Sequence, residues 1–368
     1  MSEEMSAFRG VTRRDFLKYC TWLAGVMGLG EAGMARVASA LEAAARRPSV
    51  VWSSFQVCTG CAIQLLQARE PTVQNLILQQ ISLDYQDNVM AAAGSAAEEV
   101  LRQVTEGEDF YWVVEGSVAT GIPGAMTVAG RTSMEVVDEL YPKANATIAM
   151  GSCAAYGNIQ AARPNPTGAK GIAAYLREDG GVADPVVVNL PRCPGHGDDL
   201  IATLTYALVN GELPELDAVG RPVFLYGQTI HDTCFRRGHF EAGRFVERFG
   251  DESTGDRDWC LYKVGCKGPV TYAPCGRNLW NGNVSWCVNN APCQGCAEPD
   301  FWDELTPFYD QVRGGDLPGL YGVTAEQIGI GLGIATAAGL AAHGVGTAIR
   351  SRRTTRAGEP GRREGGEL

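Results

Sequence analysis

The sequence has 368 residues, enough for two domains, because a single hydrophobic core tends to divide beyond about 250–300 residues. Its apolar content of 45% is ordinary for a globular protein, and its net charge of −11 argues against a nucleic-acid partner. Residues 350–368 carry six Arg and three Glu, so a basic tail follows an acidic body.

The first 40 residues have the features of an export signal. Arg13 and Arg14 precede a mildly apolar stretch at residues 19–30, and the Ala-Ser-Ala motif at residues 38–40 supplies a cleavage site of small residues. This order predicts a twin-arginine signal over residues 1–40. The alternative is a cytosolic amphipathic helix with a chance pair of arginines. Because this route exports folded proteins, the signal suits a protein that takes up its cofactors in the cytoplasm.

A first domain is predicted over residues 48–210, where short β-rich runs alternate with helical stretches. Strands that alternate with helices form a parallel sheet with both faces covered. The functional groups of such sheets gather in loops beyond the carboxyl ends of the strands. The predicted strands are 50–55, 76–83, 111–115, 147–151 and 185–190, and the predicted helices include 91–104, 132–140 and 168–177.

Four cysteines of this domain obey that rule, since they follow the first, fourth and fifth predicted strands. They are Cys58, Cys61, Cys153 and Cys193. Four thiolates that converge at one edge of a sheet suit either a tetrahedral zinc ion or an iron–sulfur cluster. Zinc ligands usually lie close together in sequence, whereas these four are spread from residue 58 to residue 193. The spacing favours a cluster and leaves zinc as the alternative.

A second, loop-rich domain is predicted over residues 211–320, which hold seven of the twelve cysteines. Small cores with little secondary structure often depend on bound metal. The candidate ligands form two sets, His231, Cys234, Cys260 and Cys266 in one and Cys275, Cys287, Cys293 and Cys296 in the other. Together with the first domain they make three sets of four. A disulfide framework is the alternative, although the eleven cysteines outside the signal cannot all pair.

An uncharged stretch lies near the C-terminus, at residues 328–349. A bilayer span needs about 20 apolar residues, and the arginines that follow belong on the cytoplasmic side. We therefore predict a transmembrane anchor over residues 327–350, a cytoplasmic tail over residues 351–368 and a body outside. A buried Gly- and Ala-rich helix is the alternative. His343 within the span is either a functional site or a residue of helix packing.

The sequence resembles the small subunit of [NiFe] hydrogenases across residues 48–305. In the first domain the matching segments are Cys58-Thr59-Gly60-Cys61, Ile81-Ser82-Leu83-Asp84-Tyr85, Val114-Glu115-Gly116-Ser117, Gly151-Ser152-Cys153 and Cys193-Pro194. In the second they are His231-Asp232-Thr233-Cys234, Arg237-Gly238-His239-Phe240 and Cys293-x-x-Cys296-x-x-Pro299-x-Phe301-Trp302. The predicted signal and anchor resemble those of the exported, membrane-bound members.

The resemblance implies a flavodoxin-like first domain, a loop-rich iron–sulfur domain and a C-terminal transmembrane helix. It implies a proximal [4Fe-4S] cluster on Cys58, Cys61, Cys153 and Cys193, a distal [4Fe-4S] cluster on His231, Cys234, Cys260 and Cys266, and a medial cluster on Cys275, Cys293 and Cys296. A separate large subunit would hold the nickel–iron centre that splits H2. Electrons would pass from the proximal to the medial and distal clusters, and then to a membrane cytochrome b or another quinone-linked acceptor.

Three residues depart from the pattern of relatives. Cys287 lies about where many relatives have a Pro beside a medial [3Fe-4S] cluster, so we predict that it supplies a fourth ligand to a medial [4Fe-4S] cluster. A three-iron cluster beside a buried structural Cys287 is the alternative. Gly60 and Asn158 stand where oxygen-tolerant relatives carry two extra cysteines, which predicts an ordinary proximal cubane.

Other functions remain open at this point. One is a stand-alone exported ferredoxin-like carrier, which would purify as a monomer with clusters. Another is a surface binding module held together by zinc or disulfides, which would be colourless. The resemblance favours a heterodimer with the large subunit on the outer side of the cell membrane, with a dimer of heterodimers as a further option. No side chain is predicted to act as a nucleophile or a general acid.

Overall fold

The computed structural model describes residues 18, 21, 22, 24, 25, 33, 37, 47–68, 72–76, 81–107, 109–122, 124–251, 258–280, 291–311 and 325–357. Most of the predicted export signal, Cys287 and the end of the basic tail lie outside the described residues. The chain divides into two compact units, Met1–Gln311 and Val312–Leu368.

A parallel sheet of five strands lies at the centre of the first unit. Its strands are β1 (Ser49–Ser54), β2 (Ser82–Gln86), β3 (Phe110–Glu115), β4 (Ala146–Met150) and β5 (Val187–Leu190). Their order across the sheet is β2-β1-β3-β4-β5, with every neighbouring pair parallel. This order is that of flavodoxin-like sheets. The predicted α/β class is confirmed, and four of the five strands begin within two residues of their predicted places.

The predicted strand 76–83 is wrong in its first part. Val73–Asn75 is a short helical turn, and Leu76 after it is buried in the core. Strand β2 begins only at Ser82, which pairs with Ser49 of β1. A short apolar run cannot be told from a buried helical segment by its hydrophobicity alone.

Helices cover both faces of the sheet. They are α1 (Gly60–Leu66), α2 (Ser95–Glu106), α3 (Ser133–Leu140), α4 (Gly151–Tyr156), α5 (Ile172–Glu178) and α6 (Gly197–Asn210). Successive side chains of a strand point to opposite faces, so Trp52 packs in one core with α1 and α6. Val51 packs in the other core, with α2, α3 and α5. This alternation buries the sheet on both sides.

Local signals explain where one predicted helix begins. Thr132 precedes α3, and its Oγ1 accepts the N–H of Glu135 at 3.2 Å, while the Glu135 carboxylate accepts the N–H of Thr132 at 2.7 Å. This reciprocal capping box satisfies two N–H groups that a helix start leaves without partners. Two short antiparallel pairs lie beside the main sheet, Val118–Ala119 with Ala169–Lys170 and Thr127–Val128 with Arg131–Thr132.

Residues 211–311 consist of loops and short helices where the structure describes them. The α-helical turns are Val223–Tyr226, Arg237–Glu241 and Phe301–Glu304, and the 3₁₀ turns are His231–Thr233, Tyr262–Val264, Gly268–Val270 and Pro274–Gly276. Tyr226, Ile230 and Cys275 lie in the same hydrophobic core as Trp52 of β1. This region therefore packs against one face of the sheet through a shared core.

The second unit contains one long helix, α7 (Ala325–Ala357), of 33 residues. Its segment Gly329–Arg350 is 22 residues long and apolar enough to cross a membrane by length and composition. The side chains of this segment are exposed.

Candidate functional site

Four of the predicted ligands lie in three loops at the carboxyl edge of the sheet. Cys58 and Cys61 follow β1, Cys153 lies in α4 directly after β4, and Cys193 follows β5. Cys61 and Cys153 are buried, Cys193 is half-buried and Cys58 is exposed. The thiols therefore occupy an edge of the sheet that opens to the surface at Cys58.

The backbone closes tightly around the sulfur of Cys61. Gly151, the first residue of α4, has φ +83°, which residues with a side chain rarely adopt. A Cβ at this position would lie 2.5 Å from Sγ of Cys61. From the loop after β5, Gly195 donates its N–H to the same sulfur at 3.2 Å. The loops after β4 and β5 thus meet the thiol of the loop after β1.

Amide side chains contact two other sulfurs of this set. Nδ2 of Asn158 lies 3.1 Å from Sγ of Cys153 and 3.5 Å from Sγ of Cys193. Nε2 of Gln160 lies 3.5 Å from Sγ of Cys153. Since one amide nitrogen reaches both sulfurs, the two loops present their thiols to a common space. Hydrogen bonds to sulfur are one means by which a protein sets the reduction potential of a cluster.

The two positions where oxygen-tolerant relatives carry extra cysteines border the same sulfurs. A Cβ on Gly60 would lie 3.2 Å from Sγ of Cys58, and Asn158 contacts Cys153 and Cys193 as described. Neither position carries a thiol. The prediction of an ordinary proximal cubane therefore concerns residues that lie beside three of the four sulfurs.

A buried carboxylate lies against the backbone of Cys61. Glu115, at the end of β3, is fully buried. Its carboxylate accepts the N–H of Cys61 at 2.9 Å, the N–H of Ala62 at 3.3 Å and the indole N–H of Trp52 at 3.3 Å. Burial raises the pKa of Glu115, and these hydrogen bonds oppose the rise. Burial, and next the charge of Glu115, raises the pKa of the Cys61 thiol well above its usual value. A thiolate here needs a positive partner, which bound iron would supply.

A partly open cavity lies in the second region and is lined by all four predicted distal ligands. They are His231, Cys234, Cys260 and Cys266. The cavity encloses about 390 Å³ including its open mouth. Its remaining lining includes the apolar residues Ile230, Leu261 and Pro269 and the cations Arg236 and Arg237. Three thiols and one imidazole around one partly open space are suited to a cluster.

The surroundings shift the pKa values of two predicted ligands in this cavity. Burial, and next the charge of Arg237, lowers the pKa of His231, so its imidazole is neutral and can bind a metal. Its ring packs edge-on against Phe240, with ring centres 4.6 Å apart. Burial raises the pKa of the Cys260 thiol, while the N–H of Tyr262 and the charge of Arg236 oppose that rise.

The third predicted set lies between the first two. Cys275 and Cys293 are buried, and Cys296 is half-buried. The N–H of Gly295 donates to Sγ of Cys293 at 3.4 Å. Cys287, the predicted fourth ligand, lies outside the described residues.

Direct hydrogen bonds connect the three sets in one line. The hydroxyl of Ser152, beside Cys153, donates to the carbonyl oxygen of Cys296. The N–H of Cys293 donates to Sγ of Cys266 at 3.4 Å. The loops of the first set therefore touch the third set, and the third set touches a sulfur of the distal cavity.

The described side chains of these sets are spaced differently from the ligands of a single metal ion. Within the described residues, no three His, Cys, Asp or Glu side chains are placed to hold one metal ion together. A tetrahedral zinc ion requires four ligand atoms about 2.0–2.3 Å from the metal, which brings those atoms close to one another. A cubane binds each thiolate through a different iron and keeps the sulfurs apart. The ten described cysteines are also thiols rather than disulfides.

Comparison with known proteins agrees with this arrangement. The C-terminal family of NiFe/NiFeSe hydrogenase small subunits matches residues 226–309, and the family described as NADH ubiquinone oxidoreductase, 20 Kd subunit, matches residues 58–207. The chain is 46% identical over 312 residues to the periplasmic [NiFe] hydrogenase small subunit 1 of Nitratidesulfovibrio vulgaris, an overlap of 84% of this chain and 96% of that relative. It is 40% identical over 349 residues to the uptake hydrogenase small subunit of Azotobacter vinelandii, an overlap of 93% and 94%.

A solved structure agrees as well. The [NiFeSe]-hydrogenase of Dm. baculatum matches with a TM-score of 0.66 at 36% identity, covering 73% of this chain and 100% of that chain. The fold and these relatives together identify the chain as a subunit of an oxidoreductase. The chain belongs to the small subunits of [NiFe] hydrogenases, whose catalytic centre lies in the large subunit.

Sequence reasoning did not single out several neighbours of the sulfurs. Ser152 and Arg192 adjoin Cys153 and Cys193 in the motifs, but nothing in the pattern indicates their contacts. Arg192 is fully buried and forms an ion pair with Asp199 at 3.2 Å. Lys267 is buried beside Cys266. The one available signal was its place directly after a predicted ligand.

Proposed function

We propose that this chain is the electron-transfer small subunit of an uptake [NiFe] hydrogenase. It carries electrons from H2 oxidation in the large subunit through three iron–sulfur clusters to a membrane cytochrome b or another quinone-linked acceptor. The observation that carries this proposal is the line of contacts from Cys153, through Ser152 and Cys296, to Cys293 and Cys266. Such a line supports a relay in the order proximal, medial, distal.

Each cluster has its own set of ligands in this proposal. The proximal [4Fe-4S] cluster takes Cys58, Cys61, Cys153 and Cys193, the distal [4Fe-4S] cluster takes His231, Cys234, Cys260 and Cys266, and the medial [4Fe-4S] cluster takes Cys275, Cys287, Cys293 and Cys296. When bound, the clusters supply one-electron redox chemistry. The alternative medial cluster is [3Fe-4S] without Cys287.

The protein's own groups orient the ligands and tune the sulfurs. Asn158 and Gly195 donate hydrogen bonds to sulfurs of the proximal set, which favours the reduced, more negative state of a cluster. Glu115 fixes the start of α1 through the N–H groups of Cys61 and Ala62. Burial of Cys61, Cys153 and Cys260 limits the access of water to these ligands, and the neutral ring of His231 lowers the negative charge of the distal set.

Apolar side chains near Cys58 support a protein partner at the proximal site. Ile63 and Leu66 of α1 are 48% and 43% exposed, and Ile159, next to Asn158, is 59% exposed. Apolar groups clustered at an exposed functional edge are typical of interaction surfaces. The hydrogenase large subunit is the partner that would cover them, whereas a stand-alone carrier would leave them in water.

The C-terminal helix supports a membrane location. Its segment Gly329–Arg350 has the length and apolar composition of a membrane span, and its exposed side chains do not favour the alternative of a core helix. We propose that α7 anchors the body on the periplasmic or outer face of the cell membrane after twin-arginine export. A chain cut before Gln327 should be released as soluble protein, and Arg13→Lys with Arg14→Lys should keep the full chain in the cytoplasm. Membrane retention of the cut chain, or unchanged export of the double variant, would contradict these assignments.

Low-temperature EPR of the purified complex tests the proposal. We expect a reduced-state signal from interacting [4Fe-4S]⁺ clusters and no [3Fe-4S]⁺ signal in the oxidised sample. A [3Fe-4S]⁺ signal that persists in undamaged, fully loaded protein would remove Cys287 from the medial set and leave the relay intact. Absence of iron–sulfur signals in both states would overturn the proposed function.

A further inference from the structure

Lys267 is a buried cation that lies between the proposed distal and medial ligand sets. Only 3% of the residue is exposed. It directly follows Cys266, and its N–H donates to the carbonyl oxygen of Cys293 at 2.9 Å. The same pair of cysteines is joined by the hydrogen bond from the N–H of Cys293 to Sγ of Cys266. Lys267 therefore belongs to the junction between the two sets.

The ammonium group is held by a neutral acceptor rather than by a buried carboxylate. Nζ donates to the main-chain carbonyl oxygen of Asp310. The side chain of Asp310 belongs to an exposed residue, so water screens its charge. Burial lowers the pKa of Lys267, and Asp310, Cys266 and Cys293 oppose that change through their negative charges. The backbone of Lys267 contacts both ligand residues, because it follows Cys266 directly and donates its N–H to Cys293, and this places the charge of its side chain near the two proposed ligands.

Two other cations of this chain differ from Lys267 in their burial or in their carboxylate partners. Arg192 is buried, but its charge is balanced by the buried carboxylate of Asp199 at 3.2 Å. Lys263 lies four residues before Lys267 in sequence, but its side chain is 39% exposed and pairs with Glu247 at 2.7 Å. Within the part of the chain that the structure describes, no buried carboxylate forms an ion pair with Lys267, so its charge is less neutralised than that of Arg192.

We propose that Lys267 raises the reduction potentials of the medial and distal clusters, acting on them through the thiolates of Cys293 and Cys266. The inference rests on the proposed function, because it requires a cluster on each set. A fixed positive charge favours the state of a cluster that holds the additional electron, and a low local dielectric strengthens the effect. Lys267 would thereby draw electrons from the first domain into the second. Lys267 acts on the clusters through its charge and does not itself bind iron.

The test is an EPR-monitored redox titration of the full complex carrying Lys267→Gln. The glutamine amide keeps a donor for the carbonyl of Asp310 and removes the charge. At a fixed applied potential we expect the ratio of reduced to oxidised medial and distal clusters to fall about tenfold, which is about 59 mV for a one-electron couple. The proximal cluster should titrate as in the wild type. Lys267→Arg should restore wild-type potentials, and the matched control Lys263→Gln should leave all three unchanged.

The outcomes separate this inference from the proposed function. Wild-type complex without iron–sulfur signals would overturn the proposed function itself. Clusters present in both proteins, with medial and distal potentials unchanged in Lys267→Gln, would overturn only the role of Lys267. If Lys267→Gln does not take up iron, Lys267→Met removes the same charge with an apolar side chain. Failure of both neutral variants to take up iron, while Lys267→Arg does so, would assign Lys267 a structural role and also overturn the inference.

Discussion

The proximal site and the second region differ in the charges that lie beside their sulfurs. At the proximal site the buried carboxylate of Glu115 adds to burial in raising the pKa of Cys61, while the buried charge of Arg192, next to Cys193, is balanced by Asp199. In the second region the charges near the sulfurs include cations. Arg236 opposes the rise that burial imposes on the pKa of Cys260, and Lys267 follows Cys266 and donates its N–H to the carbonyl oxygen of Cys293.

This contrast has a consequence for the direction of electron flow. A negative charge near a cluster disfavours its reduced state, whereas a positive charge favours it. Electrons that enter at the proximal site would therefore move toward a region where they are held more firmly. The arrangement suits an enzyme that oxidises H2 and delivers electrons outward.

Loss of a proximal ligand should have the largest effect. Cys153→Ala removes a buried thiol that receives hydrogen bonds from Asn158 and Gln160. We expect loss of about one cluster of iron per chain and a fall in H2 uptake of more than about 100-fold, since even outer groups of a metal site cost about 10–100-fold. Iron analysis and H2-driven dye reduction would measure this. The control Cys20→Ser, in the predicted signal, should keep the full iron content. A full iron content in Cys153→Ala would contradict the assignment of Cys153 as a proximal ligand.

The next effect concerns the close approach of two loops. Gly151→Ala adds a Cβ 2.5 Å from Sγ of Cys61 at a residue with positive φ. Gly181→Ala is the matched control, because Gly181 also has positive φ but a Cβ there meets no atom within 4 Å. Both substitutions should cost about 1–2 kcal/mol of unfolding free energy through the backbone. Gly151→Ala should cost about 1–3 kcal/mol more through overpacking.

Denaturant unfolding and iron content together would measure that difference. We expect a lower midpoint and less proximal iron in Gly151→Ala than in Gly181→Ala. Equal stability and equal iron in the two variants would show that the loops after β1 and β4 do not meet as described.

A smaller effect should follow from removing the buried carboxylate. Glu115→Gln keeps an oxygen that can accept the N–H of Cys61 and eliminates the negative charge. We expect the proximal potential to rise by tens of millivolts, on the order of the 59 mV of a tenfold change for one electron. Glu99→Gln, at an exposed position on α2, should leave the potential unchanged. A lower proximal reduction potential in Glu115→Gln than in the wild type would contradict the proposed effect of the buried carboxylate.

The smallest effect should come from one amide donor. Asn158→Leu removes the hydrogen bonds to Cys153 and Cys193. We expect the proximal potential to fall by less than the rise in Glu115→Gln, since a neutral donor is weaker than a full charge. The control Asn145→Leu, at an exposed residue bonded to Asp109, should have wild-type potentials in the same titration.

The first domain could be predicted from sequence far better than the second region. Strand β1 begins one residue from its predicted start, because apolar strands between helical stretches leave a clear pattern. The positions of Cys153 and Cys193 followed from the rule that functional loops lie at the carboxyl ends of parallel strands. The prediction of a strand at residues 76–83 was wrong in its first part, because buried helical and extended segments share the same apolar composition.

The second region has little periodic pattern, so its ligand sets rested on counting cysteines and on resemblance. The four members of one of those sets, His231 and three thiols, line a single cavity, and their role as ligands stays a prediction. Contacts such as the one between Ser152 and Cys296 join residues far apart in sequence and depend on packing. The burial of Lys267 and Glu115 likewise follows from the tertiary structure, since charged residues are exposed by default. The role of Cys287 remains a prediction.

An EPR-monitored redox titration of the wild-type complex tests the charge contrast most directly. The proximal signal would be identified as the one that is lost in Cys153→Ala, and the signals of the second region as those that this variant retains. We expect three separate clusters, with the proximal cluster reduced at the lowest potential. A proximal cluster that is reduced at a higher potential than both of the others would contradict the charge contrast.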